Sequence, residues 1–90
     1  MEIKKKLTIN NDLGLHARAA AKIVALAGQY QAEFFLRKED IEVDGSSILA
    51  ILTLSCPKGT EVEARVVGDD SEVLIEAVSD LFERKFGESK

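Results

Sequence analysis

The only histidine of the chain, His16, stands where a turn-forming stretch gives way to an alanine-rich segment, and Arg18 follows two residues later. The first turn of a helix has free backbone N–H groups and a partial positive charge, so it readily binds an anion. An imidazole at that place favours its neutral, nucleophilic form, and the Arg18 guanidinium offers several N–H donors to phosphate oxygens. Gly14 lets the backbone turn tightly before the helix. These residues predict a histidine that takes up a phosphoryl group on a ring nitrogen.

The pattern alone leaves two other interpretations of His16 open. In one of them it is an ordinary polar loop residue, since residues 13–19 offer no carboxylate to orient the ring. In the other it is the general base of a small enzyme. The second of these is disfavoured because no further catalytic group stands at a recognisable spacing and no glycine-rich nucleotide loop is present.

Periodic apolar residues predict the elements that position His16. Alternation predicts strands over residues 2–10, 32–37, 41–43 and 60–67. Helical spacing predicts one helix over 17–28 that stops at Gly28, a short one over 47–55, and a long final helix. The apolar face of the final helix consists of Leu74, Ala77, Val78, Leu81 and Phe82.

Two of these helices have recognisable start signals. Ser46 is the predicted N-cap of the short helix, which turns Ile48, Ile51 and Leu54 inward. Asp69 with Glu72 three residues later predicts a capping box for the last helix. Gly87 and a polar tail are expected to close the chain.

Every predicted strand is apolar on one face only, which indicates a mainly antiparallel sheet with one solvated side. The order βαββαβα therefore predicts a single α+β domain over residues 1–90, an open-faced β-sandwich. It has a four-stranded antiparallel sheet with three helices packed on one face. Phe35 is expected to lie exposed on the open face.

Composition excludes several classes of function. The formal net charge of −4 argues against a nucleic-acid binder. No apolar run approaches the ~20 residues of a membrane span, and charged residues follow Met1 in place of a signal sequence, so we expect a soluble cytoplasmic protein. The single cysteine, Cys56, allows no internal disulfide and is expected to be buried. No cluster of metal ligands is seen, and no metal or cofactor is expected.

The segment "GLHAR" at residues 14–18, followed by the alanine-rich helix, resembles the active-site motif of HPr. HPr is the histidine-containing phosphocarrier family of the bacterial sugar phosphotransferase system. The resemblance covers roughly residues 3–86 and includes the serine-led stretch "SSILAILTL" at the family's spacing from His16. It implies an HPr-like fold.

The resemblance also implies roles for individual residues. His16 would accept a phosphoryl group on Nδ1 from phosphorylated enzyme I and pass it to an enzyme IIA domain. Arg18 and the backbone N–H groups of Ala17 and Arg18 would hold the phosphoryl group. The protein would be a monomeric, stoichiometric carrier with a phosphohistidine intermediate and not an enzyme.

The short helix carries the other roles that the resemblance implies. Ser47 would be phosphorylated by HPr kinase/phosphorylase; that Ser46 and Ser47 are both simple helix caps is the alternative. Partner docking would use Leu15, Ala21, Ile48, Leu49 and Leu52. A purely regulatory module that acts through Ser47 and protein binding, with His16 idle, is the alternative function.

This sequence departs from the family pattern near the histidine. Ala19 stands where the family commonly has proline, and Leu13 stands where it usually has serine or asparagine. Ala25 and Gly28 occupy places where some relatives carry lysines. These departures leave the partner open, and a nitrogen-type or regulatory phosphotransferase chain remains an alternative to sugar uptake.

Overall fold

The computed structural model describes residues 1–90 as one four-stranded sheet with three α-helices. The elements are β1 (Glu2–Thr8), α1 (Ala17–Ala27), β2 (Glu33–Lys38), β3 (Ile41–Asp44), α2 (Ile48–Thr53), β4 (Glu61–Val67) and α3 (Ser71–Glu83). A short 3₁₀ turn, Lys85–Gly87, follows α3. This order confirms the predicted βαββαβα sequence of elements. None of the helices has the length and apolar character needed to cross a membrane.

The strand order in the sheet is β1-β4-β2-β3, and all neighbours are antiparallel. The last strand, β4, thus lies between β1 and β2, while β2 and β3 form the predicted hairpin. The three helices pack on one face, and the other face is open. The predicted α+β open-faced sandwich is confirmed.

The core lies between the sheet and the helices and contains 22 buried apolar residues. The predicted alternation is confirmed in β2 and β4, where Phe34, Leu36, Val62, Ala64 and Val66 are all buried, whereas the edge strand β3 has no buried residue. The helices contribute Ala20, Ile23, Leu74, Val78 and Phe82, among others. Cys56 is buried as predicted, and burial raises the pKa of its thiol.

The start of α2 differs from the prediction by one residue. Ser47 is the N-cap, and its hydroxyl oxygen accepts a hydrogen bond from the Ala50 N–H at 3.1 Å. Ser46 instead hydrogen-bonds the Asp44 carboxylate through its N–H and its hydroxyl, at 2.9 and 2.7 Å. The helix is therefore shorter than predicted, and Ile48 at its first position is 37% exposed and not inward.

The start of α3 also differs, because Asp70 and not Asp69 is the N-cap and no capping box forms. The Asp70 side chain makes no bond to its own helix. Its two carboxylate oxygens accept hydrogen bonds from the N–H groups of Gln31 and Ala32, both at 2.8 Å. The carboxylate thereby fixes the chain at its entry to β2, a long-range use that local pattern does not reveal.

Phe35 on the open face is half-buried, which corrects the expectation that it is exposed. The Arg65 guanidinium lies over its ring, 4.3 Å from the centroid. Arg65 also forms ion pairs with Glu2 at 3.0 Å and Glu42 at 2.8 Å, and the pairing lowers the pKa of the Glu42 carboxyl. The open face is therefore covered in part by a charged network.

The chain end is not the simple polar tail that was predicted. Phe86 is fully buried, and its ring meets that of Phe82 edge to face with centroids 4.9 Å apart. Lys85, Phe86 and Gly87 all have positive φ, which reverses the chain after α3. This reversal directs the last residues back across the end of α1.

Candidate functional site

His16 is the N-cap residue of α1. Its backbone is extended (φ −83°, ψ 178°), and its Nδ1 accepts a hydrogen bond from the Arg18 N–H at 3.2 Å. The ring therefore lies at the N-terminal end of the helix, as predicted, with Nδ1 directed towards the free N–H groups of the first turn. His16 is only half-buried, so part of its side chain is exposed at the protein surface.

The tight turn before His16 requires a glycine, as the sequence indicated. Gly14 has φ +73°, and a Cβ built there would lie 2.6 Å from the Cys56 carbonyl oxygen and 2.9 Å from Pro57 Cα. The Leu15 N–H donates to the same Cys56 carbonyl at 2.8 Å. The loop that carries His16 is thus held against the segment that follows α2.

A carboxylate from the other end of the chain faces the second ring nitrogen. Glu88 Oε2 lies 2.5 Å from His16 Nε2. Glu88 Oε1 accepts a hydrogen bond at 2.9 Å from Nδ2 of the fully buried Asn11, which also donates to the Gly14 carbonyl at 2.7 Å. The Asn11 bond, and after it the His16 bond, lower the pKa of the Glu88 carboxyl.

Sequence reasoning missed both Glu88 and Asn11. The carboxylate that was sought near His16 is 72 positions away in the sequence, and no local signal marks it. The only sequence-level hint is the lone aromatic residue, Phe86, in an otherwise polar tail.

Three contacts hold this tail in place. Phe86 is buried in the core, and its carbonyl accepts a hydrogen bond from Lys22 Nζ on α1 at 2.5 Å. The Lys90 carbonyl accepts one from the Asp12 N–H at 3.1 Å. Glu88 stands between these anchors, so its position beside the ring is determined by contacts on both sides.

The neighbours of the His16 ring specify one tautomer. Nδ1 accepts a hydrogen bond from a backbone N–H, so it carries a lone pair. Nε2 faces a carboxylate that only accepts, so it carries the proton. The nitrogen with the free electron pair is therefore the one at the helix end.

Arg18 lies on the first turn of α1 with an exposed side chain, and its guanidinium makes no hydrogen bond or ion pair within the chain. It borders a surface cavity with Leu13, Glu88 and Lys90. Ala17 is exposed between His16 and Arg18. The geometry leaves five N–H donors of Arg18 available to an incoming anion.

The predicted docking residues divide into two groups. Leu49 is 77% exposed, Ile48 is 37% exposed and Leu52 is half-buried, so α2 presents an apolar surface. Leu15 is only 6% exposed and belongs to the core, although it also lines the groove beside His16, and Ala21 is half-buried, so the docking role of these two residues stays a prediction. A shallow groove lined by Leu13, His16, Leu52 and Pro57, among others, joins the α2 surface to the ring.

Comparison with known proteins adds the family. A family model described as "PTS HPr component phosphorylation site" matches residues 3–84. The chain belongs to the HPr family. The members of this family are phosphocarriers of the phosphotransferase system, and they are generally carrier proteins and not catalysts.

The relatives of this HPr-family chain agree over nearly its full length. It is 37% identical to the phosphocarrier protein HPr of Xylella fastidiosa strain Temecula1, with 96% of this chain and 97% of the relative covered. It is 36% identical to the phosphocarrier protein NPr of Escherichia coli strain K12, with 98% and 99% covered. The crystal structure of HPr-C-His from Thermoanaerobacter tengcongensis superposes with a TM-score of 0.93 at 36% identity, covering 98% of this chain and 99% of that one.

Proposed function

We propose that His16 is the phosphoryl acceptor of a phosphotransferase-system carrier. It would take the group from phosphorylated enzyme I and deliver it to an enzyme IIA domain. The observation that carries the proposal is the placement of the unprotonated Nδ1 at the N-terminal end of α1, on whose first turn Arg18 presents an exposed and unpaired guanidinium. Residues 1–90 act in this proposal as a single monomeric domain that needs no metal or cofactor.

The transfer step follows from the resting tautomer. The Nδ1 electron pair attacks the phosphorus of the donor phosphohistidine, a P–Nδ1 bond forms, and the donor P–N bond breaks with its electrons returning to the donor ring. No proton leaves His16, since Nδ1 carries none. The backbone N–H groups of Ala17 and Arg18, together with the Arg18 guanidinium, bind the phosphoryl oxygens, because phosphoryl transfer needs mainly positioning and charge neutralisation.

Mass spectrometry tests this proposal directly. The chain is incubated with enzyme I and phosphoenolpyruvate, and the site of the added phosphate is located by fragmentation. We expect one phosphate on His16 that is labile in acid and stable in base. The proposal fails if the protein stays unmodified or if the phosphate is located on another residue.

A second proposal concerns Ser47 as a regulatory phosphorylation site for HPr kinase/phosphorylase. Ser47 caps α2 beside the exposed Leu49 and Ile48, so a phosphate there would add about −1.5 to −2 charges to an apolar surface. The charge would also lie at a helix N-terminus, where it is tolerated. Labelling by kinase and ATP alone, with no phosphate on His16, would favour a purely regulatory module.

Replacing Ser47 tests the docking role of this surface. Ser47→Asp is expected to slow transfer from enzyme I at least about tenfold. An unpaired charge that becomes buried in an apolar interface costs on the order of a kcal/mol or more in binding free energy. The melting temperature should change little, since aspartate is a good N-cap. Ser47→Asn keeps the cap without the charge and serves as the matched control, and equal transfer rates for the two variants would contradict the role.

A further inference from the structure

The function proposed above uses only the Nδ1 side of the His16 ring and gives no role to the contact between Glu88 and Nε2. One oxygen of the Glu88 carboxylate faces Nε2, and the other accepts a hydrogen bond from the buried Asn11. The tail on either side of it is anchored by Phe86 and Lys90. Because these contacts fix the Glu88 carboxylate, it stays at hydrogen-bonding distance from Nε2.

The chemical consequence appears when Nδ1 bears phosphorus. A phosphohistidine that keeps its proton on Nε2 has a positively charged ring, and the ring then leaves as neutral imidazole when the P–N bond breaks. Without that proton the leaving group is an imidazolate anion, which departs far less readily. An acceptor carboxylate at Nε2 favours the protonated form, because an opposite charge stabilises a cationic group.

We propose that Glu88 is a positioning residue that keeps the proton on His16 Nε2 after phosphorylation and so sets the lability of the P–N bond. This rests on His16 being the phosphoryl acceptor. In hydrolysis the oxygen of water attacks phosphorus, the P–Nδ1 electron pair returns to the ring, and the ring remains neutral with its Nε2 proton. The proton lost by the water goes to solvent, and inorganic phosphate leaves.

Other charged or titratable residues line the two cavities on either side of Glu88 and His16. Arg18, Asp12 and Lys90 line the cavity that Glu88 borders, and Cys56 lines the groove that contains His16. All of them are retained when Glu88 is replaced by glutamine. A shift in the pH profile of that variant therefore reports on the Glu88 charge alone.

The test uses the phosphorylated full chain. Phospho-protein is prepared with enzyme I and phosphoenolpyruvate, freed of enzyme I, and followed for loss of phosphate across a range of pH. We expect the midpoint of the hydrolysis profile of Glu88→Gln to lie about half a pH unit to one unit below that of the wild type, with a half-life about three- to tenfold longer within that window. Glu83→Gln, an exposed glutamate at the end of α3, is the charge-matched control and should follow the wild type.

Nitrogen-15 NMR of the unphosphorylated ring gives an independent measurement that simple loss of structure would not mimic. Wild type and Glu88→Gln should both carry the proton on Nε2, since glutamine also accepts through its oxygen, whereas Glu88→Ala, which keeps only the Arg18 N–H bond to Nδ1, should show a larger share of the tautomer with the proton on Nδ1. Coincident hydrolysis profiles for Glu88→Gln and wild type would overturn the role of Glu88 alone. A wild-type protein that takes up no phosphate on His16 would overturn the proposed function and this inference together.

Discussion

His16→Ala is expected to take up no acid-labile phosphate from enzyme I and phosphoenolpyruvate. The substitution removes the ring nitrogen that we propose as the acceptor, and the chain has no other histidine. It also removes the Nδ1 atom that caps α1 through the Arg18 N–H. Loss of an N-cap costs about 0.5–2 kcal/mol in the free energy of unfolding, so the variant should be measurably less stable. Radiolabel or intact-mass uptake and urea denaturation measure the two effects.

His16→Asn separates the chemistry from the cap. Asparagine is a good N-cap residue, so this variant should recover most of the stability that His16→Ala loses. It should still accept no phosphate, because an amide is not a nucleophile of this kind. Acid-labile phosphate on either variant would contradict the proposed acceptor.

Phe86→Ala is expected to lower the free energy of unfolding by about 3–5 kcal/mol, the usual cost of removing a buried phenylalanine side chain. The ring is fully buried and packs edge to face on Phe82. Small domains have a total stability of only about 5–15 kcal/mol, so this loss is a large part of it. Urea denaturation monitored by circular dichroism measures the change.

The same substitution should also release the tail from the site. Lys22 Nζ and Asn11 lose well-placed acceptors when the segment after α3 is no longer anchored, and Glu88 leaves Nε2. Phe86→Leu keeps a buried apolar side chain and should retain most of both the stability and the His16–Glu88 contact. A Phe86→Ala protein with wild-type stability, and with Glu88 still beside the ring by NMR, would show that the tail is held by other means.

The strands and α1 were predictable because their signals are local. Alternation at period two indicates the buried face of a strand directly, as at Phe34 and Leu36 in β2. The helix N-terminus at His16 was indicated by a glycine turn followed by alanines. The ring nitrogen that we propose as the acceptor, Nδ1, is the one that caps this helix.

The misplaced helix starts show where local pattern is insufficient. Ser46 and Ser47 have the same capping propensity, and the choice between them is made by Asp44, which binds Ser46. Asp69 and Asp70 are also equivalent by propensity, and the chain before β2 engages Asp70. In both pairs a contact outside the helix decides which residue is the cap.

The partners of the His16 ring were beyond sequence reasoning for a related reason. Glu88 reaches the site only because Phe86 is buried and the backbone reverses with positive φ at three successive residues, 85–87. No periodicity predicts such a reversal in a short polar tail. Asn11 belongs to the turn-forming stretch before His16, where the sequence gives no sign that it is fully buried and binds both the loop and the tail.

The fixed tail has a practical consequence for how this protein is handled. A peptide fused after Lys90 would emerge beside the histidine and compete with Glu88 or with a docking protein. A peptide fused before Met1 would emerge at the start of β1, where Glu2 pairs with Val67. The loop that carries His16 follows the other end of that strand. Affinity handles, fluorophores and sensor-chip attachments therefore belong at the amino terminus when binding or phosphate transfer is to be measured.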